Sequence, residues 1–220
     1  MRALQERLGY TFRDPTLLEN ALTHSSYANE RRGHSNERLE FLGDSVLGMV
    51  TAEKLYHTFP DLPEGRLSRL RAELVCEQAL HAVALDLRLG DYLRLGKGEE
   101  HSGGRTRPSI LADAVEAIIA AMFLDGGLQP AKDFILGHIL AGLEAGEMHH
   151  VADYKTELQE QVQKKADQHL RYELVGESGP DHRKQFVMAV YLNDAEIGRG
   201  EGRSKKEAEQ AAARAALQSI

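Results

Sequence analysis

The sequence predicts an all-α unit followed by a small α+β unit of order α-β-β-β-α. Three observations carry this reading. Apolar residues recur at spacings of three and four through the larger, first part of the 220-residue chain, with no strand-like alternation of any length. A stretch without strong periodicity, "LEAGEMHHVADY", then interrupts the pattern. Beyond it the period shortens to two in "KQFVMAVYL", ahead of a final alanine-rich helix. The expected boundaries are 1–147 for the helical unit, 148–152 for a linker and 153–220 for the second unit.

In the first unit the helical period runs through "PTLLENALTHSSYA", "RLEFLGDSVLGMVTAEKLYHTF", "GRLSRLRAELVCEQALHAVALDL", "SILADAVEAIIAAMFLDGG" and "PAKDFILGHILAGLEA". Gly and Pro punctuate between them at "FPDLPEG", "RLGKGEEHSGGRTRP" and "LDGGLQP". In the second unit "DYKTELQEQVQKKA" reads as one amphipathic helix and "LRYELVGES" as the first strand. Phe186, Met188, Val190 and Leu192 alternate as one face of the second strand. "AEIGRGEG" is a short third strand after a turn at Asn193-Asp194. Ser204 opens the last helix with Glu207 at capping-box spacing. Ala208, Ala211, Ala212, Ala215 and Ala216 then form a narrow stripe suited to close packing on a sheet.

Composition narrows the function classes. The chain is 42% hydrophobic and 28% charged, ordinary for a soluble globular protein with a core. Its net charge of −7 excludes a uniformly basic nucleic-acid binder. A polyanion must be held by local basic patches or by recruited cations. Residues 1–150 carry 16 Lys/Arg against 22 Asp/Glu, so the acidic excess lies in the helical unit. The single cysteine, Cys76, excludes an internal disulfide and a Cys-based zinc site. The N-terminus lacks the apolar core of a secretion signal, and the run Ala117 to Leu124 is too short to span a bilayer. The expectation is a cytoplasmic protein without membrane contact.

The acids concentrate in "NERLEFLGDSVL". On a helix Glu40 and Asp44 lie one turn apart, and Glu37 falls about 20° from Asp44 around the axis. All three share a face while Leu39, Leu42 and Val46 point elsewhere. Like charges at this spacing destabilise a helix by roughly a few tenths of a kcal/mol per pair. In "ILADAVEAII" Asp113 and Glu116 share a face three residues apart, opposite Leu111, Val115, Ile118 and Ile119. Two acidic faces within apolar helices point to a meeting of those faces. A cluster of carboxylates without His or Cys is a hard-oxygen site, suited to Mg²⁺ or Mn²⁺. Spacing alone leaves a second reading open, that each pair is a solvated face. A carboxylate-held divalent ion would serve phosphodiester or phosphoanhydride hydrolysis equally.

The second unit bears on that choice. Thr156, Gln159, Glu160 and Gln163 line one side of its first helix, and such groups suit contacts to ribose 2′-hydroxyls in a shallow groove. His182, Arg183 and Lys184 sit in the polar loop "GPDHRK" between strands. Lys205 and Lys206 occupy the first turn of the last helix, where they oppose the dipole but are well disposed to bind phosphate.

"NERLEFLGDSVL" resembles the signature of the ribonuclease III family. The α-β-β-β-α order with "GPDHRK" and "SKKEAEQAAA" resembles a double-stranded RNA-binding domain. Together the two resemblances cover nearly the whole chain. They imply a homodimeric endonuclease, paired through its nuclease domain, that cuts double-stranded RNA with Mg²⁺, Mn²⁺ being a substitute. The expected products carry 5′-phosphates and short 3′ overhangs, and no small organic cofactor is expected. By the same resemblance Glu40, Asp113 and Glu116 would ligate the metal, and Asp44 and Glu116 would be the acids most directly tied to catalysis. Glu37 and Glu64 would line the cleft near the subunit boundary. The apolar excess of Phe41, Leu42, Val46 and Leu47 fits a dimer surface on this helix. Processing of rRNA and mRNA is the role that the resemblance implies.

Other features point elsewhere. His24 stands beside Ser25 and Ser26, but without a G-x-S-x-G elbow these residues are expected to cap or pack a helix end. His149 and His150 fall in the linker. "RLGKGEEHSGGRTRP" fits no P-loop, and its Arg105 and Arg107 are open between RNA contact and solubilising charge. Two other classes compete with the nuclease, a purely RNA-binding protein and a helical nucleoside-triphosphate pyrophosphohydrolase. The intact acids argue against the first, and the duplex-binding platform argues against the second.

Overall fold

Helix α8 (Pro108–Gly126) explains the arrangement of the first unit, because it is buried almost all round. Ile110, Leu111, Val115, Ile118, Ile119 and Met122 are all in the core. A helix this apolar needs neighbours on every side. They are α2 (Pro15–Ala21), α4 (Glu37–Thr58), α6 (Glu77–Asp86) and α9 (Leu128–Phe134). The other α-helices described in the unit are α1 (Arg2–Leu8), α3 (Ser25–Arg31), α5 (Glu64–Leu74) and α7 (Lys97–His101), and a π-helical turn, Ile135–Ile139, continues α9. This computed structural model describes residues 1–141, 143, 154–163, 168–180 and 184–218. The chain divides into two units, Met1–Met148 and His149–Ile220. The expected linker, 148–152, lies outside the described residues, as do His149, His150, His182 and Arg183. No helix among the described residues is long and apolar enough to cross a membrane.

Local chemistry sets the helix ends. The Asp14 carboxylate accepts from the Thr16 N–H at 2.9 Å, and Pro15 begins α2 where its missing N–H is harmless. His24 caps α3, with its Nδ1 accepting from the Ser26 N–H at 3.2 Å. The histidine and serine of "ALTHSSY" are therefore a helix cap, as expected. Two continuous periodic stretches prove to be broken helices. The first splits into α2 and α3. The second splits into α5 and α6 at Val75 and Cys76, where Cys76 has extended backbone. No Gly or Pro marks that break, and the apolar period passes straight through it.

The glycine-rich connection contains α7 and a 3₁₀ turn at Gly104–Thr106. Arg105 donates to the Glu100 carboxylate and to the carbonyls of Gly90 and Leu93, at 2.8 and 2.9 Å for the carbonyls. Arg107 pairs with Glu99 at 2.6 Å. Both arginines are thus tied into the loop that they stiffen.

Helices α4 and α8 cross closely at Gly43. Any Cβ there would coincide with the backbone carbonyl of Glu116. Val46 and Leu47 are buried in the unit's own core, whereas Phe41 is 77% exposed. The apolar excess on α4 is therefore smaller than the sequence implies: Val46 and Leu47 do not belong to it.

In the second unit α10 (Tyr154–Gln163) precedes a three-stranded antiparallel sheet, β1 (Leu170–Ser178), β2 (Gln185–Leu192) and β3 (Ala195–Gly202), ordered β1-β2-β3. Helix α11 (Lys205–Leu217) closes it. Leu158, Val162, Met188, Val190 and the alanines Ala208, Ala212 and Ala216 form the core. The expected alternation on β2 holds, with Phe186 and Leu192 packed against that core. Gly198, Gly200 and Gly202 face the alanine stripe so closely that a Cβ on any of them would strike α11. Asn193 takes the left-handed backbone at the β2–β3 turn, a conformation Asn tolerates. The Ser204 hydroxyl accepts from the Glu207 N–H at 3.1 Å, and the Glu207 carboxylate accepts from Arg203 N–H at 2.8 Å, one residue earlier than a standard capping box.

Gly43→Ala is expected to lower the unfolding free energy by about 3 kcal/mol or more, because backbone must move to admit the methyl group. Gly65→Ala, whose new methyl group meets open space within helix α5, should not lower it and should raise it by up to about 1 kcal/mol. Urea unfolding of both variants checks this; equal effects would mean that the α4–α8 crossing is not the tight point of the unit.

Candidate active site

The Gly43 contact brings the acidic stretch of α4 against that of α8. Glu40 lies one turn before Asp44 on α4, and Asp113 lies one turn before Glu116 on α8. Glu40, Asp113 and Glu116 are each half-buried and offer carboxylate oxygens within 4.8 Å of one another. Opposed ligands of a Mg²⁺ ion stand about 4.2 Å apart. Small rotamer changes would let all three oxygens reach one ion. Asp44 is exposed beside them.

Electrostatics sets this cluster apart from a solvated face. Burial pushes the Glu116 carboxyl up to about 7, and the charges of Asp44, Asp113 and Glu40 add to the shift. Burial also raises Glu40, with Asp113, Glu37 and Asp44 reinforcing it. Asp113 is raised by burial and by Glu77. No cation contributes to any of the three shifts, and among the described residues none of these carboxylates has a Lys or Arg partner. Half-buried like charges left without a counterion are costly. The donor set is wholly hard oxygen, which fits a divalent ion such as Mg²⁺ or Mn²⁺ and does not fit zinc.

The other expected site residues fall around this cluster or apart from it. Glu37 is exposed in the first turn of α4, accepts from the Ser35 hydroxyl and adds to the field on Glu40. Glu64 is exposed at the start of α5, where it accepts from the Ser68 hydroxyl at 2.6 Å; it is not among the charges that perturb the cluster. Glu77, at the start of α6, was not legible as a neighbour of Asp113. It is brought there by the unmarked break at Cys76, so no spacing rule within one helix could have found it.

In the second unit Leu158 and Val162 turn inward on α10, leaving Gln159, Glu160 and Gln163 exposed and Thr156 half-buried. Lys205 and Lys206 are exposed in the first turn of α11. Lys184 reaches Glu177 at 2.6 Å.

Residues 14–143 match the profile of the ribonuclease-III-like family, and residues 154–220 match the double-stranded RNA binding motif. The chain belongs to the ribonuclease III family. Among its curated relatives are ribonuclease 3 of Oceanobacillus iheyensis, 48% identical across 100% of this chain and 98% of the relative, and that of Caldanaerobacter subterraneus subsp. tengcongensis, 52% identical across 99% and 96%. Among solved structures, the nuclease domain of ribonuclease III from Campylobacter jejuni aligns with a TM-score of 0.60 and 47% identity, over 62% of this chain and 94% of that domain. As a ribonuclease III family member with a duplex-binding unit, the protein is an endoribonuclease of double-stranded RNA.

The carboxylate cluster of this ribonuclease III family member should leave a trace in stability. An unperturbed glutamate titrates near 4.5, the folded Glu116 near 7. Between those values the folded state keeps a proton that the unfolded chain has released, so stability falls as pH rises through the window. Without divalent ions, the thermal midpoint should be higher at about pH 5 than at about pH 8, and Glu116→Gln should shrink the difference. Calorimetry at the two pH values tests it; an undiminished difference in the variant would place the titration elsewhere.

Proposed function

We propose that Glu40, Asp113 and Glu116 hold a divalent cation, Mg²⁺ with Mn²⁺ as substitute, and that Asp44 and Glu116 are the acids most directly engaged in phosphodiester hydrolysis. The supporting observation is the convergence of three half-buried carboxylates, within 4.8 Å, with no Lys or Arg partner among the described residues. A divalent ion bound there would activate water and neutralise charge on the phosphate. The chain's own residues then have distinct tasks. Glu40, Asp113 and Glu116, anchored on two packed helices, fix the position of the ion. Asp44, at the solvent edge, orients the attacking water toward a phosphate lying along the cleft. Without the ion the acids repel RNA, so the nuclease unit engages the scissile phosphate only when charged with metal, while the RNA-binding unit holds the duplex with or without it.

Both strands of a duplex are cut, leaving 5′-phosphates and short 3′ overhangs, by two such centres in a homodimer. The dimer surface is the stripe of Phe41, Met49 and Tyr56 on α4, which are 77%, 51% and 68% exposed. Large apolar groups exposed along one helix face favour a partner, and the Campylobacter jejuni nuclease domain has a region involved in dimer formation. A two-fold dimer matches the approximate two-fold relation of antiparallel strands, one centre to each. Glu37 and Glu64 line the cleft toward that boundary. Thr156, Gln159, Glu160 and Gln163 meet the minor groove, while Lys184, Lys205 and Lys206, with His182 and Arg183 beside them in sequence, hold phosphates. The cellular role consistent with this is rRNA and mRNA processing in the cytoplasm.

Asp44→Asn and Glu116→Gln are expected to retain RNA binding while losing cleavage by roughly 10³-fold. Incubating an end-labelled RNA duplex, a single-stranded RNA and a DNA duplex with Mg²⁺ or EDTA should give cuts only in the RNA duplex with Mg²⁺. Near-normal cutting by either variant would misplace the site. Phe41→Asp is expected to shift the protein from dimer to monomer in sedimentation velocity; an unchanged dimer would put the interface on another face.

A further inference from the structure

The basic end of the RNA-binding unit contains a carboxylate that no duplex-binding role requires. Glu177 is the penultimate residue of β1, paired across the sheet with Phe186 of β2, and Phe186 in turn pairs with Gly202 of β3. Phe186 packs on the helix-covered face and Gly202 abuts the first turn of α11. Residues in one cross-strand row share a face, so Glu177 rises on the side of the sheet where α11 begins with Lys205 and Lys206. Its Oε1 accepts from the Lys184 Nζ at 2.6 Å, with the two side chains 39% and 37% exposed respectively. The hydrogen bond and charge of Lys184 hold the Glu177 carboxyl below the usual range, and Lys205 adds to this.

Stability is a poor reason for the pair, since exposed ion pairs contribute little. Glu207, the acid in the first turn of α11, is engaged in capping the helix through the Arg203 N–H. Glu177 is different: its oxygen takes a lysine ammonium, a donor that suits a phosphate oxygen equally well.

We propose that Glu177 is a built-in phosphate competitor, an internal anion that occupies Lys184 in the free protein and is displaced by an RNA phosphate on binding. The proposal rests on the reading of Lys184, Lys205 and Lys206 as phosphate contacts. A carboxylate and a phosphate oxygen compete for the same donors. Duplex affinity is therefore set below what the lysines alone would give. Occupation of Lys184 also lowers the net number of cations available to neutralise phosphates, and with it the salt dependence of binding.

The test measures binding of a perfect RNA duplex over a range of salt by the full-length protein in EDTA, so that cleavage does not intervene. Three variants are compared with the parent: E177Q, E177D and the double variant K205A/K206A. E177Q should bind about two- to fivefold more tightly at moderate salt, the gain equivalent to releasing one exposed ion pair. Its log–log salt slope should steepen by about one. E177D, which keeps the charge, should return toward the parent slope. K205A/K206A should weaken binding to every duplex sequence and flatten the slope. Weaker or unchanged binding by E177Q, with K205A/K206A still impaired, would overturn the competitor role and leave the RNA surface standing. Unimpaired binding by K205A/K206A would remove the RNA surface itself, and the competitor with it.

Discussion

The approach of α4 to α8 at Gly43 is the constraint on which the nuclease unit depends. Glu40 and Asp44 lie on one helix and Asp113 and Glu116 on another, far apart in the chain. They become neighbours because nothing larger than hydrogen separates the α4 backbone from the carbonyl of Glu116. Each residue's position is then set by helix geometry and by the apolar packing of α8, not by hydrogen bonds among the acids. A site built on two packed helices keeps its spacing better than one built on loops, which suits a task of fixing an ion and a phosphate.

The same packing creates the electrostatic tension. Moving carboxylates out of water disfavours their charged form, and bringing them together disfavours it again. Glu116 bears both effects most strongly, and burial is the larger. The unit therefore stores a local instability that a cation held there as proposed would relieve. This is a common exchange of stability for function, in which one group of residues is left unsatisfied until its ligand arrives.

The second unit reaches close packing by a different route. Its small core uses glycines on β3 against alanines on α11, so sheet and helix approach without large side chains. That leaves the first turn of α11 and the β1–β2 end of the sheet to carry charge. Lysines crowd a helix N-terminus there, against the dipole, with Glu177 as a local counter-anion. In both units the groups proposed to act are those whose placement lowers stability. Acids gather in the first, and cations at a helix start in the second.

The sequence by itself determined a good deal. Apolar period separated the helical unit from the α-β-β-β-α unit, since periods of 3.6 and 2 follow from backbone geometry alone. Acids one turn apart declared which faces of α4 and α8 were polar, and the small-residue stripe of α11 declared close packing. Only the tertiary structure decided the rest. It showed that the two acidic faces meet, and that Glu77 approaches Asp113 across an unmarked break. It withdrew Val46 and Leu47 into the core while leaving Phe41 exposed, and it committed Arg105 and Arg107 to their own loop. The physical reason is the same throughout. Periodicity is local and reports which face of an element is apolar, whereas burial, charge pairing and shared ligands depend on which face of another element arrives opposite it.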